Sequence, residues 1–325
     1  MQAKYLVPND YMADPSAHVF NGRLYIYPSH DWDSGKEEID GDGGHFDMKD
    51  YHVFSTDDLE NGELTDHGAV LAVKDIPWAG RQLWDCDVAH KNGKYYMYFP
   101  LKDKNDVFRI GVAVADRPEG PFVPQPDPMR GSYSIDTCVF EENGAHYMYF
   151  GGIWGGQLQR YRDNKALERG ATYPADDEPA ICARVAKLSG DMLQFAEEPR
   201  PVALLDKSGK PLAQGDSERR FFEASWLHKH NGKYYFSYST GDTHLLCYAT
   251  GDSPYGPFTY QGVILTPVVG WTTHHSIAEF KGKWYLFHHD SVPSGGKTWL
   301  RSLKVAELKH NADGTIQKMD GGGEG

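Results

Sequence analysis

The chain has 325 residues, of which 40% are hydrophobic and 13% aromatic, with 35 Gly, 19 Pro and a formal net charge of −13. That charge argues against nucleic acid or an anionic membrane surface as partner, since both demand a basic face. No run approaches the ~18 uninterrupted apolar residues of a membrane span. The opening MQAKYLVPND lacks the apolar core of a secretory leader, so a cytoplasmic location is expected. Cys86, Cys138, Cys182 and Cys247 are widely spaced without a CxxC pair and read as buried thiols, not as a disulfide frame or a zinc site.

In chain order, one short pattern occurs five times: NGRLYIY (21–27), NGKYYMY (92–98), NGAHYMY (143–149), NGKYYFSY (231–238) and KGKWYLF (281–287). Each carries a tyrosine three residues after its glycine: Tyr25, Tyr96, Tyr147, Tyr235 and Tyr285. Asn-Gly between apolar runs predicts a tight hairpin, because a type I′ turn needs positive φ at both central positions. Further strand-like runs follow each hairpin: DYHVFST, RIGVAVAD, ICARVAKL, LLCYATGD and LRSLKVAEL. Two units share a near-identical exit, DRPEGPF (116–122) and DSPYGPF (252–258). The unit is thus about four strands. The glycines recur after 71, 51, 88 and 50 residues, with Gly-, Asp- and Glu-rich insertions at 28–50, 155–180 and 205–220.

Such self-similarity predicts an all-β, five-bladed β-propeller, one domain over 1–325 with a loose tail at 320–325. Helical periodicity is weak and confined to 163–169. The DGDGG run (40–44) fails as a calcium loop, because its twelfth position is Tyr51 where a glutamate is required. SHD (29–31) and HHD (288–290) read equally well as polar residues at a blade exit or as substrate contacts.

About eight residues before each glycine lies a polar slot: Asp14, Asp85 or Asp87, Asp136, Glu223 and His274. The innermost strands of a propeller line its axis, where an unpaired charge costs several kcal/mol. Repeated acids there need either structural partners, as turn caps, or a chemical use. Carboxylates converging from several blades suit glycosidic hydrolysis. One acid protonates the leaving oxygen, one carboxylate activates water on the opposite ring face, and a third tunes and orients the acid.

The segments MADPSAHVF, SIDTCVF, FFEASWL and HHS carry a resemblance across essentially the whole chain to the family 43 glycoside hydrolases, inverting five-bladed propellers that release xylose or arabinose. The resemblance implies Asp14 as general base, Glu223 as general acid and Asp136 as pKa modulator. It further implies His274, with His275 as the alternative, as a ligand to calcium or another divalent ion in the axial channel, the chemistry itself requiring no cofactor. Arg301 matches a sugar-binding arginine. Trp84 is expected to stack on the sugar, with Trp32 and Trp154 as looser candidates of the same kind. The sequence departs from the family pattern at Asp85-Cys86 and Thr137-Cys138. Asp85 and Asp87 receive no role, and Cys86 and Cys138 are expected near the active face, making activity thiol-sensitive.

The expected activity is exo-β-xylosidase on short oligosaccharides, with α-L-arabinofuranosidase as a side activity and a homo-oligomer allowed. The loops at 28–50 and 155–180 are expected to close one end of the groove. Competing readings are an arabinan endo-hydrolase, a retaining fructoside hydrolase (disfavoured by Ala-Asp-Pro-Ser and the absence of Arg-Asp-Pro) and a non-catalytic sugar-binding propeller.

Overall fold

The turns behave as their residues require. In the computed structural model, which describes residues 3–37, 41–167, 171–271 and 273–323, Asn21, Asn92, Asn143 and Asn231 adopt φ of 53°, 52°, 52° and 47°. Each precedes a glycine at positive φ, as the right-handed strand twist favours. In the fifth copy Lys281 holds the asparagine's place at φ 51°, a conformation that asparagine tolerates better than lysine.

Each hairpin forms the two inner strands of an antiparallel sheet, and five such sheets form a five-bladed β-propeller. Blade one is Met12–Phe20, Arg23–His30, Asp50–Thr56 and Thr65–Ala72. Blade two is Asp87–Lys91, Lys94–Asp103, Phe108–Ala115 and Val123–Pro124, with Ala79–Leu83 added beside Lys94–Asp103. Blade three is Cys138–Glu142, Ala145–Phe150, Arg184–Lys187 and Arg200–Pro201. Blade four is Glu223–His230, Lys233–Ser239, Leu246–Gly251 and Phe258–Leu265, with Leu204–Leu205 parallel on its outer edge. Blade five is His275–Phe280, Lys283–Asp290 and Ser302–Leu308, and its fourth strand is Lys4–Tyr5 from the other end of the chain. This last pairing closes the ring and is anchored by the Tyr5 hydroxyl on Asp290 at 2.9 Å.

The repeated aromatics explain how blades stay in register. The last tyrosine of each of the first three copies reaches across to the next blade. Tyr27 donates to the carbonyl of Pro118 at 2.8 Å, Tyr98 to that of Met192 at 2.9 Å, and Tyr149 to that of Pro254. Pro118 and Pro254 lie in the two near-identical exits, so that repeated sequence is the acceptor for a repeated tyrosine. Each phenol ring is buried while its hydroxyl finds a partner, the condition for burying tyrosine without a desolvation cost.

Two expectations are corrected. The weak helix at 163–169 is a short hairpin pairing Tyr161–Arg162 with Lys165–Ala166; residues 168–170 lie outside the described residues. Of the loose tail expected at 320–325, residues 324–325 lie outside the described residues and 320–323 are held in place. Gly323 N–H donates to Pro267 O at 2.8 Å and Gly321 N–H to Thr266 Oγ1 at 2.9 Å, so backbone pairing holds them against blade four's exit. Of the DGDGG run, Asp40 lies outside the described residues, and Asp42 accepts from Gly44 N–H at 2.7 Å, an ordinary turn. Among the described residues no helix is long and apolar enough to cross a membrane.

Candidate active site

Strand irregularities aim the acids. In blade one the register shifts between Ala13 and Ser16, and in blade four between Glu223 and Trp226. An extra residue in one strand breaks the alternation of faces and re-aims a side chain. Asp14 (φ 47°), Asp136 (φ 62°) and Ala224 (φ 64°) lie in the left-handed region, which costs a non-glycine residue of order 1 kcal/mol or more. Three such residues where three blades enter the axis mark a strained, shared site.

That site is a pocket at one end of the axis, lined among others by Asp14, Asp85, Asp136, Glu223, His274 and Arg301. His274 stands among the acids. Its Nδ1 lies 3.7 Å from Asp14 Oδ1, and its Nε2 lies 3.4 Å from Asp136 Oδ2 and 3.6 Å from Glu223 Oε1. Burial disfavours its cationic form, but the carboxylates of Asp136, Asp14 and Glu223 outweigh this and raise its pKa well above the usual histidine range. His275, the alternative ligand, instead bonds Ser237 Oγ at 2.6 Å on the other side of the strand, and burial holds it neutral.

Asp14 is fixed by both oxygens. Arg301 Nη1 donates to Oδ1 at 2.6 Å and Ser29 Oγ to Oδ2 at 2.6 Å, while the Asp14 N–H donates to His289 Nδ1 at 3.1 Å. Burial alone would raise its pKa. The Arg301 guanidinium, aided by His274, His289 and Ser29, holds it well below the carboxylate range instead. Arg301 is itself locked by Asp31, which accepts from its backbone N–H at 2.8 Å, from Nε at 2.8 Å and from Nη2 at 2.7 Å. This two-pronged pairing fixes the guanidinium plane.

Asp136 is buried, and burial raises its pKa strongly; the Asp85 and Glu223 carboxylates add to this against the opposing charge of His274. Its Oδ2 accepts from Ala224 N–H at 2.8 Å, directly coupling it to the backbone after Glu223. Its Oδ1 is buried with no hydrogen-bond partner. Asp85 accepts from Asp136 N–H at 3.1 Å, and burial raises its own pKa to about 7 although His274 pulls the other way.

The walls are aromatic. Trp84 and Trp154 line the pocket, joined by Phe46, Phe222 and Trp271. Trp84 is largely buried, its indole N–H donating to Phe46 O at 2.8 Å, so it supports the wall more than it faces solvent. Gly43 makes this close approach feasible: a Cβ there would sit 2.6 Å from the Trp84 ring. Trp154 is exposed and lies 5.5 Å from Trp271, centroid to centroid. Trp32 does not reach the pocket. It packs at 4.8 Å against His30 with the Lys49 ammonium over its ring, beside a separate depression, because the strand ending at His30 turns it outward.

The slots and the two exits divide by role. Asp87, left unassigned, is a pin on the axis below the pocket. It accepts from Val139 N–H at 2.5 Å, Val88 N–H at 2.8 Å and Ser16 Oγ, and contacts His18 Nε2 at 2.5 Å. Ser29, Asp31 and His289, from SHD and HHD, hold Asp14 and Arg301, neither idle loop residues nor wall. Phe222 sits in the FFEASWL segment without having been given a role, and Trp271 had no motif to announce it. Cys86 and Cys138 flank site residues but are buried, and burial raises both thiols well above their ordinary range, removing the basis for thiol sensitivity. All four cysteines are free.

Comparison with known proteins gives the chain a family. The profile of Glycosyl hydrolases family 43 matches residues 6–316. A xylosidase/arabinosidase of Bacteroides ovatus is 72% identical, with 98% of each chain covered. A beta-xylosidase of Xylanibacter ruminicola is 64% identical, covering 98% of this chain and all of its own. The crystal structure of a family 43 beta-xylosidase/alpha-arabinofuranosidase from a compost microbial metagenome, in complex with xylotriose and in a calcium-free form, superimposes with a TM-score of 0.96 at 60% identity, covering 100% and 99% of the two chains. The chain belongs to glycoside hydrolase family 43 and is a glycoside hydrolase.

Proposed function

We propose that the chain is an exo-acting, inverting β-xylosidase on short xylo-oligosaccharides, with α-L-arabinofuranosidase activity, acting in the cytoplasm. The observation that carries the reading is the convergence of Asp14, Asp136 and Glu223 from three blades on one imidazole. Relatives named for xylosidase and arabinosidase activity support the sugar class. Exo action is supported by the walls that residues 41–48 and 153–156 raise around the pocket.

In this reading Asp14, kept ionised by Arg301, takes a proton from water as the water oxygen bonds to the anomeric carbon. Glu223 gives its proton to the leaving oxygen as the glycosidic bond breaks, and the configuration inverts in one displacement. Base and acid lie against opposite nitrogens of the His274 ring, a separation that favours admitting water over forming a covalent intermediate. Asp136 orients the acid through Ala224 N–H.

The axial divalent ion is part of the proposal. Asp85, Asp136 and His274 each offer a ligand atom within 4.8 Å of the others', and the orphaned Asp136 Oδ1 is a donor of the required kind. These residues would hold the ion, which would supply positive charge among the carboxylates.

Hydrolysis of a nitrophenyl xyloside, with product configuration followed by NMR, tests the assignment. Asp14→Asn and Glu223→Gln should each lose at least 10³-fold in kcat/KM, about 4 kcal/mol. Full rate in both variants would remove both residues from the chemistry. A chelator should slow the wild type and calcium restore it; indifference to both would argue against the ion.

A further inference from the structure

Away from the axis, blade one carries a second cluster of metal-ligating side chains. His30 ends the strand Arg23–His30, and Asp50 opens the next strand, Asp50–Thr56, which also carries His52. His30, Asp50 and His52 each present a ligand atom within 4.8 Å of the others'. His30 is buried; Asp50 and His52 are partly exposed, which leaves an ion a way in.

The surroundings of the two rings are those of metal-binding histidines. Such rings commonly present their second nitrogen to a carboxylate, which fixes tautomer and orientation. Here the outer carboxylates are Asp10, whose Oδ2 lies 3.4 Å from His30 Nε2, and Asp66, whose Oδ1 lies 3.2 Å from His52 Nδ1, while the ligand-set residues His30 and Asp50 face one another, Nδ1 to Oδ1, at 2.6 Å. Three carboxylates around two imidazoles leave a net negative site when the rings are neutral. The Lys49 ammonium, the cation adjoining Asp50 in sequence, is turned over the Trp32 ring at 5.6 Å. Two imidazoles with one carboxylate suit a zinc-like ion, whereas calcium prefers an all-oxygen shell.

We propose that His30, Asp50 and His52 form a second metal site, for a divalent transition ion of the zinc class, separate from the axial cluster. Its place in the fold gives it a consequence. His30 and Asp50 are the two ends of the long insertion, and that insertion delivers Asp31 to Arg301 and places Phe46 and Met48 in the pocket wall. An ion between its ends is a clasp on the segment that shapes the pocket.

The test is titration of the metal-stripped full chain with Zn²⁺ and with Co²⁺, followed by calorimetry and by the Co²⁺ ligand-field spectrum. A His274→Ala background removes the axial histidine. In that background one ion per chain should bind, calcium should not displace it, and binding should release protons, since the ligating nitrogens must be unprotonated. Asp66→Asn, a change at a partly exposed carboxylate, should weaken binding about 10–100-fold, and His52→Ala should weaken it further and abolish the Co²⁺ spectrum. The proposal fails if the His274→Ala chain binds no Zn²⁺, or if His52→Ala, shown folded by its thermal transition, binds with unchanged affinity. Because the readout is binding, failure here leaves the hydrolase reading standing, and failure of that reading leaves this site.

Discussion

Replacing Asp31 by Asn isolates the lock on Arg301. In the wild type Asp31 takes three N–H groups from that one residue, at 2.8, 2.8 and 2.7 Å, while Arg301 Nη1 donates to Asp14 at 2.6 Å. An asparagine preserves the shape but cancels the charge and turns an NH₂ group toward a guanidinium that is all donors. Removing one partner of a buried ion pair typically costs about 3–5 kcal/mol. Part of that is recovered here because Arg301 keeps Asp14. The guanidinium then has a single anion to follow, and it pivots onto Asp14, the residue that must accept a proton. We expect kcat/KM on an aryl xyloside to fall about 10²–10³-fold, or about 2.7–4 kcal/mol, with kcat carrying more of the loss than KM. The thermal midpoint should fall by about 5–10 °C. A variant within about threefold of the wild type in kcat/KM, with an unchanged midpoint, would refute the lock. A lowered midpoint with unchanged kcat would reduce Asp31 to a structural role.

Asp87→Ala should show the opposite partition, because Asp87 pins the axis without lining the pocket: a thermal midpoint about 5–10 °C lower, with kcat/KM of the folded enzyme within about threefold of the wild type. Trp271→Ala removes an exposed-side wall ring beside Trp154 and should raise KM for xylo-oligosaccharides about 3–10-fold, on the scale of one aromatic contact, with a smaller effect on aryl xylosides. Alkylating the native enzyme with iodoacetamide should leave its rate unchanged, since Cys86 and Cys138 are buried with raised thiol pKa values; rapid inactivation would show that the blades open.

What the sequence made legible were the features that repeat. Asn-Gly in four copies and Lys-Gly in the fifth set positive φ locally, so five hairpins and their axial slots could be read without any long-range contact. Asp14, Asp136, Glu223 and His274 followed from their place in the repeat. Hidden were the features that depend on two distant segments meeting. Asp31 and Arg301 are 270 positions apart, and no local pattern pairs them. Asp87 and Asp85 look alike in sequence, two residues apart on one approach to the axis. Only the turn of the strand separates the pin from the pocket carboxylate. Trp32 misled because stacking residues and packing residues share one chemistry, and the strand's direction at His30 decides between them. Phe222, beside the acid in its own motif, and Trp271, in none, went unread because a wall needs only bulk and position.

The strand Lys4–Tyr5, paired with Lys304 and Val305, has a consequence for the order of events during synthesis. Blade one can be completed from consecutive sequence as soon as it emerges, but the ring cannot close until Ser302–Leu308 has left the ribosome. Until then both the outer edge of blade five and the flank of blade one present unpaired backbone or apolar surface, the condition under which strand exchange and aggregation compete with folding. Ring closure is therefore a search by an early-made strand, Lys4–Tyr5, for one made about 300 residues later, and a lesion at Tyr5 or its partner Asp290 would slow maturation while leaving the finished pocket unchanged.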